Sequence, residues 1–146
     1  MSKSLLFVLL FSLPFAFGVE GEDKALGRLS MTADMLVCIG EEMTGNPLSG
    51  ILIAGDTLSI NVNISSTYSY QFIVWTDSAF NCVDFWLTNP QGGTPRSDIG
   101  DHTALAIMPD SAETGIWQLE MELLEGAYSD TAYYAAAIFR RSRTLQ

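Results

Sequence analysis

One imidazole, His102, stands in the chain, with Asp98 and Asp101 just before it. A histidine oriented by a carboxylate is the minimum for general-base chemistry near neutral pH. His102 with Asp98 or Asp101 is therefore the hydrolase reading that the sequence offers. The nucleophile elbow Gly-x-Ser-x-Gly, the metalloprotease His-Glu-x-x-His and the phosphate-binding Gly-x-x-x-x-Gly-Lys are all missing. Paired carboxylates for glycoside hydrolysis carry no specificity here, because 17 acidic residues scattered along the chain always offer some pair. A lone histidine beside a loop is more often a hydrogen-bonded surface residue. The chain reads as non-catalytic.

Oxygen donors for a cation are the second chemistry. Asp77, Asn81 and Asp84 bracket one loop, and Asp98, Asp101 and Asp110 flank another. Such hard ligands suit Ca²⁺, although neither group follows an EF-hand spacing and Asp and Asn serve turns equally well. No cofactor is required, and calcium is the ion that this composition favours. Aromatic side chains are the third. Trp75 and Trp86 fall opposite the inward faces set by Phe72 and Val74, and by Phe85 and Leu87. They can stack on sugar rings or dock a protein partner, unless the segment from Leu26 to Met43 covers them. The expected contact surface is thus Trp75, Trp86 and the loops around Asn81 and Asp98–His102. Asn63-Ile64-Ser65 also fits the N-glycosylation triplet.

Composition limits the rest. The 146 residues are 48% hydrophobic and 16% charged, with 17 acidic against 7 basic side chains, for a net charge of −10. One globular domain is expected, and a nucleic-acid partner is excluded by repulsion from the phosphate backbone. An acidic surface favours cationic partners.

The first segment has the grammar of an export signal. Lys3 precedes the apolar run Leu5–Phe17, which is shorter than the ~20 residues a bilayer span needs. Pro14 is expected to break the helix, Ala16-Phe17-Gly18 supplies a small-residue cleavage site, and Glu20, Glu22 and Asp23 follow at once. Removal of 1–18 leaves no membrane span and a periplasmic or secreted protein. In such a compartment Cys38 and Cys82 either form a disulfide or remain two buried thiols.

The elements beyond the leader are mostly strands. Residues 19–47 form a lead-in, with Leu26, Leu29, Met35, Leu36, Ile39 and Met43 at helix-like spacing and Ser30 and Thr32 as capping candidates. Gly27 and Gly40 weaken the helix, so one or two helical turns or an extended strand are expected. From Leu48 the period becomes two. Leu48–Ala54, Thr57–Ile64, Tyr68–Trp75, Val83–Thr88, Thr103–Met108, Gly115–Leu124 and Ala132–Arg140 alternate apolar and polar residues between turn signals. Residues 48–140 are therefore expected to form an all-β, antiparallel, jelly-roll-like sandwich of about seven strands. Residues 141–146 continue Arg140-Arg141-Ser142-Arg143 as a basic, solvated tail.

Three stretches carry a family resemblance: Leu48-Ser-Gly-Ile-Leu-Ile-Ala-Gly-Asp56, Cys82-Val-Asp84-Phe-Trp-Leu-Thr-Asn-Pro-Gln-Gly92 and Thr114-Gly-Ile-Trp-Gln-Leu-Glu-Met121. Together, from about Leu48 to Phe139, they resemble the bacterial pre-peptidase C-terminal domain family. The resemblance implies a secreted β-sandwich without an active site, serving binding or accessory roles beside extracellular peptidases. Cys82 stands where the family has the first Asp of an Asp-x-Asp pair, and the family pattern gives Asp84 the role of anchoring the adjacent loop. The reading is an exported binding module for a protein, matrix or polysaccharide partner, with a calcium-stabilised carbohydrate-binding module as the alternative. Intact-mass measurement of the exported protein is expected to give a chain starting at Val19. A mass that retains Leu5–Phe17 would remove the export signal from this account.

Overall fold

Alternation over the residues from Leu48 onward produces the strands expected of it. The computed structural model describes residues 4–92, 96–100, 104–126 and 129–143, and the side chains of these outside 4–19, 96–100 and 125. Helix α1 (Ser4–Cys38) is followed by β1 (Glu42–Met43), β2 (Leu48–Ile53), β3 (Thr57–Ile64), β4 (Tyr68–Thr76), β5 (Cys82–Thr88), β6 (Arg96–Gly100), β7 (Ala104–Ile107), β8 (Gly115–Glu125) and β9 (Thr131–Ser142). Two antiparallel sheets result. One has the order β2-β9-β4-β7, with β1 continuing the β2 edge of β9, and the other has the order β3-β8-β5-β6. Successive strands β2, β3, β4 and β5 alternate between the sheets, as do β6 to β9, which is the jelly-roll arrangement.

The core lies between the sheets. Phe72, Phe85, Leu87, Trp117, Leu119, Met121 and Leu123 are all buried there. Inward residues meet across strands in register, with Val62 opposite Trp117, Phe85 opposite Met121 and Leu87 opposite Leu119. The polar edge of the Trp117 indole is satisfied by donation from Nε1 to the Glu113 carbonyl at 2.6 Å. Below Trp117, a 3-10 turn at Ser111–Glu113 is closed by a capping box between Asp110 and Glu113.

A second apolar cluster sits outside the sandwich. Ala25 and Leu29 of α1 are buried against Ile73 of β4 and Ala135, Ala137 and Phe139 of β9, with Leu26, Ala33, Leu36 and Trp75 packed around them. Strand β9 is therefore covered on both faces, and its run Tyr133-Tyr-Ala-Ala-Ala-Ile-Phe139 is apolar without interruption. The alanines let the helix approach closely, and Gly21 carries this furthest: a Cβ there would stand 2.3 Å from the Tyr133 ring.

Four expectations change. The lead-in is one continuous helix to Cys38, because a stripe of apolar side chains finds a sheet face to bury against, and tertiary packing outweighs the weak propensity of Gly27. Pro14 lies within that helix, where it removes one intrahelical bond. Gly40 ends the helix instead of weakening it. At φ +90° it lets Glu41 N–H donate to the Leu36 carbonyl and Gly40 N–H to that of Val37, which is a Schellman cap. At the other end of the chain, β9 extends to Ser142 where a tail was expected, since Arg140, Arg141 and Arg143 all have partners.

Gly27 is exposed with nothing within 4 Å of an added Cβ. Gly27→Ala is expected to stabilise by about 0.5–1 kcal/mol. Leu29→Ala, at a residue 2% exposed, is expected to lose about 2–5 kcal/mol, and Met31→Ala, at one 72% exposed, to stay near zero. Urea midpoints check all three, and equal values for Leu29→Ala and Met31→Ala would mean that α1 is not docked.

Candidate functional site

The outer faces of the two sheets meet different fates. Helix α1 occupies that of the five-stranded sheet, held by polar clamps as well as by its apolar stripe. Ser49 Oγ donates to Glu22 Oε1 at 2.6 Å, and Arg28 Nη1 to the Thr76 carbonyl at 3.3 Å. Trp75 lies under this helix. Its Nε1 donates at 2.9 Å to Thr32 Oγ1, which in turn donates to the Arg28 carbonyl. Thr32 therefore acts inside the helix and does not cap it, and Trp75 is withdrawn from the binding surface expected for it.

Trp86 has the opposite surroundings. Strand parity places Trp86, Asp84 and Thr88 of β5 outward beside Gln118, Glu120 and Glu122 of β8 and Thr57, Ser59, Asn61 and Asn63 of β3. The register forms rows across the sheet. Ser59, Glu120, Trp86 and Ser97 make one, and Thr57, Glu122, Asp84 and Ile99 the next. Trp86 Nε1 donates to Glu120 Oε2 at 2.7 Å, which fixes the plane of the indole. No lysine or arginine occurs in β3, β5 or β8, so this face carries Asp84, Glu120 and Glu122 without a basic residue from those strands. It has a half-buried aromatic ring, three carboxylates and a border of hydroxyl and amide groups. Such a surface can accept hydrogen bonds from a cation and stack a flat or apolar group.

The loop residues expected at the site serve the turn between β4 and β5. Asn81 is buried, and its Nδ2 donates to Asp77 Oδ1 at 2.9 Å, while Thr76 Oγ1 donates to the Ser78 carbonyl at 2.7 Å. Asp77 and Asn81 thus bond each other, and Asp84 belongs to the sheet face. Among the described residues no three His, Cys, Asp or Glu side chains converge to hold a metal. Asp110 is likewise used by the backbone, accepting from Ala112 and Glu113. His102 and Asp101 lie outside the described residues, and Asp98 is placed by register alone, opposite Phe85. The Cys38–Cys82 bridge is corrected: both are free thiols, Cys38 exposed at the end of α1 and Cys82 half-buried in the other sheet. A helix on the outside of one sheet keeps the pair from bridging.

No family model and no curated protein matches the chain. In three dimensions it is similar to a periplasmic inhibitor of g-type lysozyme from Aeromonas hydrophila. The TM-score is 0.52 at 13% sequence identity, over 70% of this chain and 90% of that one. It is also similar to a mitogen from Yersinia pseudotuberculosis, with a TM-score of 0.50 and 13% identity over 66% and 84% of the respective chains. At such identities the likeness is one of fold.

Alkylation of the unfolded protein without reductant, read by mass, is expected to add two groups per chain. An unmodified chain that reacts only after reduction would restore the bridge.

Proposed function

We propose that the chain is an exported, non-catalytic jelly-roll module that binds a cationic protein through the outer face of its four-stranded sheet. The observation that carries this is the juxtaposition of Asp84 with Glu122 and of Glu120 with Trp86, directly opposite one another in register. A lysine or arginine from a partner can pair with Glu120 and Glu122 while its methylene stem lies along the Trp86 ring. The net charge of −10 adds steering, which accelerates encounter with a basic partner and fades with salt.

Export rests on the leader sequence. Kinship with pre-peptidase C-terminal domains belongs to the same proposal and supplies the accessory role. A polysaccharide is the second reading, favoured by Trp86 lying among Ser59, Asn61, Gln118 and Thr88.

Titration of the mature chain against basic secreted enzymes, g-type lysozyme among them, is expected to give an affinity that falls as salt rises. Glu120→Gln with Glu122→Gln should weaken binding at least tenfold while leaving the melting temperature in place, since the amide oxygen introduced by Glu120→Gln can still accept from Trp86. Binding unchanged by that double variant would overturn the reading. Binding of a neutral glycan that is lost in Trp86→Ala and insensitive to salt would favour the second.

A further inference from the structure

The Schellman cap at Gly40 stops α1 before the strands beneath it end. Helix side chains cover Ile73, Trp75 and Phe139, but the next outward positions, Gln71 and Ser69 of β4, lie beyond the helix. A cleft of about 490 Å³ opens there, within the ~300–1,000 Å³ common for small-ligand sites. Ser69, Gln71 and Ala106 line it from the sheet, Met108 stands 69% exposed, and Glu41 lines it from the helix end. Ala106 faces Gln71 in register.

Glu41 is the unusual member. It is only 8% exposed, and Oε1 meets Arg141 Nε at 3.4 Å. Oε2 is buried with no hydrogen-bond partner. A carboxylate oxygen taken out of water without a donor is unfavourable, and a ligand supplying one N–H removes that deficit. Arg141 also donates to the Ile39 carbonyl at the helix C-terminus. One guanidinium is thus shared between Glu41 and the partial negative charge of that terminus, which leaves the pair short of positive charge for a second cation to supply. Apolar Ala106, Ile107 and Met108 provide contact for a methylene chain.

We infer that this cleft binds an aliphatic ammonium group, either a free alkylamine or a lysine side chain, with the Glu41 carboxylate turning to accept from the nitrogen. It lies on the side of the sandwich opposite the acidic sheet face and is independent of the function proposed for that face.

The test is NMR titration of the full mature chain with n-butylammonium, Nα-acetyl-lysine amide and neutral n-butanol. Saturable shifts at Glu41, Gln71 and Ala106 are expected for the two cations, at least tenfold stronger than for butanol. Tighter binding of the lysine derivative assigns the site to a protein side chain, and tighter binding of the alkylamine assigns it to a free amine. Ala106→Trp places an indole in the cleft and should abolish the response. Glu41→Gln should erase the preference for ammonium over butanol. Equal response to butanol, or a wild-type response in Ala106→Trp, would overturn the assignment. Because the Glu120→Gln, Glu122→Gln variant leaves the cleft intact, it should bind butylammonium as wild type does, whatever becomes of the sheet face.

Discussion

The contact between α1 and the five-stranded sheet decides what the rest of the molecule can present. A two-layer sandwich has two outer faces, and here both carry a tryptophan. Burial of Ala25, Leu29, Ile73, Ala135, Ala137 and Phe139 in one cluster closes the first face and turns Trp75 into a structural residue bonded to Thr32. With about 25 cal/mol gained per Å² of apolar surface removed from water, a cluster of this size adds several kcal/mol to the docked state. It also needs small side chains at its centre, because a helix cannot sit close to a sheet over bulky residues. Ala135 and Ala137 supply that flatness, and Gly21 extends it over the Tyr133 ring.

Strands were legible in the sequence wherever one face is wet. Thr57–Ile64 and Gly115–Leu124 alternate because polar residues outside oppose apolar residues inside, and both appear with the register that this alternation requires. What escaped is local structure decided elsewhere in the chain. Arg96–Gly100 is a short, polar edge strand with little alternation to betray it, recognisable only through its pairing with β5. The continuous helix escaped for a related reason, since two glycines argue against it locally and only the distant apolar face of β4 and β9 argues for it. Gly40 held the missing signal: a glycine just past a periodic apolar run is a stop, and reading it so would have set the helix end correctly.

The same division governs the candidate sites. Trp75 and Trp86 are equivalent in the sequence, each outward on an aromatic-rich strand, and only the cover over one face separates them. Asp77 and Asn81 show polar loop residues serving their own turn. A short loop between two strands must satisfy its own backbone and side-chain donors, and Asn81, once buried, uses Asp77 for that purpose. No turn makes that demand of carboxylates on a sheet face. Asp84, Glu120 and Glu122 are placed side by side there by the register of β5 and β8.

Helix docking also links the two ends of this account. The cleft beside Glu41 exists because α1 covers its sheet incompletely, and Glu41 reaches it because Gly40 turns the chain at that point. A ligand held between Glu41 and the strand residues Gln71 and Ala106 binds only the form in which the helix is docked. Mass action then requires such a ligand to strengthen docking by an amount set by its concentration relative to its dissociation constant. The sheet face bearing Trp86 lies across the core from α1 and shares no described hydrogen bond or ion pair with it. A ligand in the cleft would therefore act on the docking of α1 and leave the Trp86 face as it is.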